Sequence, residues 1–422
     1  MAENIDQILK EIAENDIKFI KLQFVDIFGE MKNISITSGQ IEKALQGKCM
    51  ADAFHLRGFY DLGYERICFR PDISTFAILP WRPQQGKVAR LLCDITDPEG
   101  NEIEESPRRI LRRAVDAAKK QGYTFDIDPD CEFFLFTKDE NGHVTTHTGE
   151  MAGYLDVAPL DKGENARREL ILSLEEMDFE IEASMHELAR GQHSVRFKQM
   201  NGIRLADQIM NFRNTIRTVA ERYGLHATFM PKPRTDLPGS AMRFSISVCR
   251  GGRNLFADDE KAALYFIGGL LEHQPAICAF SNPLVNSYKR LKASYFAPSQ
   301  LYWSRDDRFA PVRLTGNASG EPCIEWTLPD GAAHPYLTLA AMISAGLEGI
   351  RTQTLPPDAD TDRRPLPATL VEALSHLRRD SFICDVCGSA FVSAYISEKE
   401  KEWERYSIEV SDWEIREYLR RI

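Results

Sequence analysis

Asp126-Ile-Asp-Pro-Asp-Cys-Glu-Phe-Phe-Leu-Phe136 combines acidic alternation with an apolar run. Residues 131–137 are predicted as a strand, and Asp128, Asp130 and Glu132 alternate so that their side chains share one face. Carboxylates in a row repel one another unless a cation sits beside them, so the pattern points to a metal ion or an arginine partner. The plainer reading is a strand edge facing solvent. Working outward, further strands are predicted at 179–187, 226–230, 241–249 and 323–328. Helices are predicted at 163–177, 203–224, 257–275, 333–350, 366–378 and 390–405. Strands and helices come in runs, which predicts an α+β fold: an antiparallel sheet with outer helices rather than a doubly wound parallel sheet.

Upstream, the periodicity predicts a helix over 4–14, strands at Lys18–Val25 and Met31–Ile36 around a Gly29 turn, a helix over 40–47, and strands at Thr75–Leu79 and Val88–Ile95. Ser106-Pro107 reads as a helix start with proline at the first helical position, the helix running to Gly122. The expected division is a small domain, 1–104, and a larger one, 105–422. The polar stretch Thr354–Pro367 reads as a surface loop. The sequence contains no internal repeat and no glycine-rich phosphate loop.

The 422 residues can fill two or three cores. A net charge of −11 argues against nucleic acid or an acidic membrane surface as the partner. No apolar run approaches the roughly 20 residues that cross a bilayer, and the acidic start Met1-Ala-Glu-Asn is not a signal peptide. Nine scattered cysteines fit reduced thiols in a cytoplasm. Cys384-Asp-Val-Cys387 stands alone as a CxxC, at the expected start of a C-terminal helix, and reads as two core thiols rather than a zinc site. Three more features carry chemistry. His186-Glu187 ends a strand just before Gly191-Gln192-His193. Ser287-Tyr-Lys-Arg290 offers a basic pair that could clamp an anion. Glu325 lies in an apolar run.

Several segments, in order along the chain, resemble type I glutamine synthetase. They are Gly86-Lys-Val-Ala-Arg90, Cys131-Glu-Phe-Phe-Leu-Phe136, Gly163-Glu-Asn-Ala-Arg-Arg168, Glu180-Ile-Glu-Ala-Ser184, His226-Ala-Thr-Phe-Met-Pro-Lys-Pro233, Asn282-Pro-Leu-Val-Asn-Ser-Tyr-Lys-Arg-Leu291 and Pro335-Tyr-Leu337. The resemblance implies a β-grasp N-terminal domain and a catalytic domain whose sheet forms a funnel. It implies a homo-oligomer, a dodecamer of two stacked hexameric rings, with each site built between neighbours and a small molecule in the funnel. It also implies ATP and magnesium, two divalent ions neutralising the phosphates while glutamate is phosphorylated and ammonia displaces the phosphate.

Carried over by residue, the resemblance puts the first metal site on Glu132, Glu187 and Ser194, the last where the family has a third glutamate. The second site falls on Asp130, Glu325 and Arg243, the last where the family has a histidine. Arginine cannot shed its proton to become a ligand, so Arg243 is expected to pair with Asp130 and Glu325, and at most one metal site is expected intact. Arg290 matches one arginine of the glutamate clamp, and the other falls on Thr327. Arg308 and Arg313 remain near the phosphates, whereas a third arginine position is Cys323. Glu182 and Ser247 match nucleotide-side positions. Asp52 matches the ammonium-binding aspartate of the loop entering from the neighbouring subunit, followed here by Ala53-Phe54-His55. Phe296 occupies the position of the flap glutamate. These replacements predict loss of ordinary glutamine formation. The alternatives are an ATP-dependent ligase joining a carboxylate such as glutamate to another amine, or metal-independent chemistry using Arg243, Arg196, His55 and His193.

Overall fold

The computed structural model describes residues 2–82, 85–198, 200–292, 297–317 and 319–422. Its first part is a sheet of β1 (Ile17–Val25), β2 (Met31–Thr37), β3 (Cys49–Asp52), β4 (Arg66–Pro71), β5 (Ala77–Ile78) and β6 (Lys87–Thr96), in the order β2-β1-β6-β4-β3 with β5 beside β6. Only β1 and β6 run parallel. This is the β-grasp arrangement that the resemblance implied. The predicted turn at Gly29 is present, with φ at 82°, a conformation glycine adopts without strain. Asp26 closes it by accepting hydrogen bonds from the Phe28 and Glu30 amides at 3.0 and 2.9 Å.

The second part is a nine-stranded sheet among the described residues. It comprises β7 (Tyr123–Thr137), β8 (Ile181–His186), β9 (Gln192–Phe197), β10 (Leu225–Thr228), β11 (Met242–Arg250), β12 (Arg253–Asn254), β14 (Trp303–Ser304), β15 (Val312–Gly316) and β16 (Pro322–Trp326). Between them in the chain, β13 (Gln300–Leu301) forms a separate ribbon with β17 (Arg364–Pro365). The order is β14-β15-β16-β11-β7-β9-β8, with β10 beside β7 and β12 beside β11, and every pair but β14–β15 is antiparallel. Along β7 burial alternates up to Asp130 and then becomes continuous to Phe136. The strand is thus half covered where its carboxylates stand and sandwiched beyond them.

Helices Gly202–Arg222, Glu260–Ser281 and Pro335–Thr352 are largely buried. The last two meet backbone to backbone. A Cβ on Gly269 would lie 2.1 Å from the Ala345 carbonyl oxygen, and one on Gly349 would lie 2.1 Å from that of Tyr265. Helix Pro107–Lys120 begins at Ser106 with proline in its first turn, as predicted. Its Arg108 reaches Asp72 at 2.6 Å, Asp94 at 2.7 Å and Asp207 at 2.9 Å, tying the two sheets' surroundings to one cation.

Three expectations are corrected. The predicted strand Thr75–Leu79 shrinks to Ala77–Ile78, because Asp72 caps a 3-10 turn over Ile73–Thr75. Strands β3, β4 and β9 were not anticipated. In β9 the sequence Gln-His-Ser-Val-Arg-Phe is too polar to read as a buried strand, yet only Arg196 in it is exposed. Cys384 and Cys387 lie in their own helix, Ser381–Cys387, which a Gly388 cap separates from Ser389–Ser407. All nine thiols are free. No helix among the described residues is long and apolar enough to cross a membrane.

Candidate active site

Register decides which charges meet. Asp130 of β7 lies opposite Arg243 of β11 on one side and Arg196 of β9 on the other. Both arginines close on it, at 3.0 and 3.1 Å. Arg243 also reaches Glu132, two residues along the same face, at 3.2 Å. Glu325 of β16 lies opposite Ser245 and Arg313, and it pairs with Arg313 at 2.6 Å. The expected contact between Arg243 and Glu325 is therefore replaced by one between Arg243 and Glu132, because β16 offers Glu325 a nearer cation across its other ladder.

Glu132 is the most constrained carboxylate of the group. One oxygen accepts from the Ala241 amide at 2.8 Å and from Gln192 Nε2 at 3.2 Å, and the other takes Arg243. Burial drives its carboxyl up to about 7, with Arg243 pulling against that rise and Glu187 adding to it. Burial also opposes the Arg243 cation, but Asp130, Glu132, Glu187 and Glu325 outweigh it, so the guanidinium holds its proton more firmly than a free arginine. Glu132 and Glu187 line one cavity of about 280 Å³ together with Arg196, Arg243, Arg290, Arg308 and Thr327. Four guanidinium groups thus face two carboxylates.

The other expected residues are scattered by comparison. Arg290, almost fully buried, donates to the Leu328 and Thr327 carbonyls at 2.9 and 3.0 Å. Arg308 lies against the Phe309 ring. Glu182 is exposed on β8. Ser247, buried on β11, donates to the Pro322 carbonyl at 3.4 Å. Glu182, Ser247 and Arg313, on β8, β11 and β15, do not line this cavity. Asp52 ends β3, where it accepts the Phe54 amide at 2.8 Å, and the exposed Phe54 packs on His55 and Tyr60. None of them borders the cavity in this chain. Cys323 is buried, and burial pushes its thiol up to about 11. Phe296 lies outside the described residues.

A divalent ion does not fit the second position, where Arg243 supplies a fixed cation already bound to two carboxylates. At the first position Ser194 stands opposite Glu132, its hydroxyl buried without a hydrogen-bond partner. Glu132 and Glu187 remain as the only carboxylate donors of that set. Sequence reasoning singled out His186 and His193 but missed their partner, Glu150. Ligand atoms of the three lie within 4.8 Å of one another. The hydrogen bonds argue against a metal there. Arg167 can only donate, so His193 Nδ1, 2.9 Å away, must accept, and Nε2 then carries the proton. His186 faces acceptors on both sides, Glu150 at 2.7 Å and the Glu187 carbonyl at 2.7 Å. It serves as a cation that fixes the backbone of Glu187.

Burial holds His193 and His334 neutral, with both imidazoles pushed down to about 3. Unfolded histidine takes up its proton near pH 6.5, so below that pH the unfolded chain binds more protons than the native one. Stability is then fully present above 6.5 and falls as pH drops towards 3. The loss is on the order of 1.4 kcal/mol per pH unit for each histidine. Glu132, raised to about 7, contributes in the opposite direction over the same range. Imidazole NMR therefore reads the rings themselves: His193 and His334 should be neutral at pH 5, and a charged ring at either would contradict the assignment.

Residues 16–98 match the family described as glutamine synthetase, beta-Grasp domain, and residues 104–418 match glutamine synthetase, catalytic domain. The chain is 43% identical over 434 residues to a glutamine synthetase of Clostridium saccharobutylicum, covering 98% of each chain. It is 40% identical over 437 residues to one from Thermus thermophilus, again covering 98% of each. Among solved structures, one titled "GmaS/ADP complex-Conformation 1" superposes with a TM-score of 0.88 at 27% identity, covering 98% of this chain and 99% of the other.

Proposed function

The chain belongs to the glutamine synthetase family, and from that premise we propose that it has lost the standard glutamine-forming reaction while keeping its funnel for a small anionic ligand. The observation that carries this reading is Arg243, 3.0 Å from Asp130 and 3.2 Å from Glu132. A side chain there supplies, without exchange, positive charge that the family takes from a metal ion. Ser194, Thr327 and Cys323 remove a metal ligand and two arginines from the same site. Arg290 and Arg308, which pair with no carboxylate among the described residues, are the groups we assign to the ligand's negative end. We divide the chain into 1–104 and 105–422.

The first site, Glu132 with Glu187, is where one magnesium ion would be held weakly, with water completing its shell. Crystals soaked in manganese should give at most one strong anomalous peak per subunit. Two peaks would overturn the reading of Arg243.

A second reading keeps an ATP-dependent ligase that joins a carboxylate such as glutamate to another amine. The neighbour solved with ADP favours it, since that protein shares the fold over nearly its whole length. Magnesium-dependent ATP binding separates the two readings: its presence favours the ligase, its absence the lost reaction.

We further infer a cytoplasmic homo-oligomer, a dodecamer of two stacked hexameric rings. Ile408, Val410, Trp413 and Leu419 are all more than half exposed near the C-terminus, a concentration of apolar surface that a second copy would cover. The exposed Asp52 loop is the segment that, by the family resemblance, would enter a neighbour's funnel. Native mass spectrometry should give a twelve-subunit ring, and a monomer or simple dimer at micromolar concentration would exclude it.

A further inference from the structure

A second cavity, of about 520 Å³, opens where the Gly29 turn faces helix Gly202–Arg222 and the end of β10. Two arginines one helical turn apart, Arg213 and Arg217, stand in its wall. Their guanidinium carbons lie 5.9 and 5.5 Å from the ring centre of Phe229, which lines the same cavity, so both charges are held beside it. Arg213 is 7% exposed and donates only through Nη2, to the Met242 sulfur and the Ala333 carbonyl. Arg217 is exposed and within reach of whatever enters. Neither pairs with a carboxylate among the described residues, and Glu30, the acid in the wall, is bonded to Lys32 instead. Like charges at this helical spacing repel, and a buried cation without an anionic partner costs free energy.

Much of the remaining wall is apolar and adaptable. Met31, Met210 and Met230 line it together with Phe229. Thioethers fit irregular shapes and favour contact with aromatic rings, and a guanidinium favours a ring face. Asn214, next to Arg213 on the same helix and half-buried, adds an amide that engages no other group among the described residues. Of the lining charges, Arg213 and Arg217 exceed Glu30 by one. An inorganic anion would meet the arginines and leave the apolar wall unfilled. One carboxylate on an aromatic body meets both, and its single charge closes the balance. We propose that this cavity binds an aromatic monocarboxylate, its carboxylate on Arg217 with Arg213 behind, its ring among the methionines and Phe229. The volume falls within the roughly 300–1,000 Å³ usual for small-molecule sites. None of its lining residues lines the funnel cavity, so the two sites are separable by mutation.

The test uses the full chain and calorimetry, with benzoate, phenylacetate and indole-3-acetate as probes. At least one should bind with a dissociation constant below about 1 mM. The matched amide, which lacks the charge, should bind at least about tenfold more weakly. Acetate at the same concentration should not displace the bound probe. Arg217→Gln, at an exposed helix position, should weaken binding about tenfold with the circular dichroism unchanged. Arg308→Ala, in the funnel, should leave the affinity as it was. The proposal fails if none of the three acids binds, if the amide binds as well as the acid, or if acetate displaces the probe equally well. It fails too if Arg308→Ala rather than Arg217→Gln abolishes binding. Should Arg217→Gln unfold the chain, the amide and acetate comparisons and Arg308→Ala decide alone.

Discussion

Incubated with glutamate, ammonia, ATP and magnesium or manganese, the protein is expected to form no detectable glutamine. Charge building on a transferring phosphoryl group needs stabilisers fixed in place beforehand. Where the resemblance puts the second metal ion, this chain has the Arg243 guanidinium, bound to Asp130 and Glu132. By the resemblance, Phe296 would stand where the family has its flap glutamate, and the loss of such a proton acceptor typically costs on the order of 10²- to 10⁴-fold. By the same resemblance, Thr327, which lines the cavity, would leave glutamate without one arm of its clamp. Groups that act together do not contribute independently, so Phe296→Glu alone should restore nothing measurable. Turnover above about 1 s⁻¹, the low end of ordinary enzyme rates, would show that the site is read wrongly.

Arg243→Ala should be among the most destabilising substitutions on the funnel wall, and its effect should depend on metal. Removing the arginine leaves Asp130 and Glu132 facing each other, both largely shielded from water. Breaking a buried ion pair from one side costs about 3–5 kcal/mol. With the guanidinium gone, Asp130 keeps Arg196 while Glu132, beside Glu187, becomes free to hold a divalent ion, and binding to the native state alone stabilises it. Thermal unfolding of Arg243→Ala should therefore shift upward with added manganese, whereas the unmodified protein should respond little. Equal metal responses would mean that Arg243 does not act as the built-in cation.

The sequence shows clearly those elements whose signal is local. The acidic face of β7, the Ser106-Pro107 helix start and the Gly29 turn all follow from spacing and backbone chemistry within a few residues. β9 was hidden because Gln192, His193 and Ser194 are polar yet buried, satisfied or constrained by partners far along the chain. The partner of Glu325 was misassigned for a related reason. Arg243 and Arg313 are both cations within reach of β16's neighbours, and only the ladder register places Arg313 opposite Glu325 and Arg243 opposite Asp130. Glu150 escaped notice because nothing near it in sequence signals that it meets His186 across 36 positions.

The glycine contact between helices Glu260–Ser281 and Pro335–Thr352 bears on how such a chain can change. Where Gly269 and Gly349 touch, there are no side chains to trade, so no neighbouring substitution can compensate for a bulkier residue. The funnel cavity is assembled the opposite way, from long side chains reaching in from strands, a helix and the loops between them, each exchangeable at its own position. A lineage built on this plan can rewrite its chemistry piecemeal while its frame stays rigidly inherited.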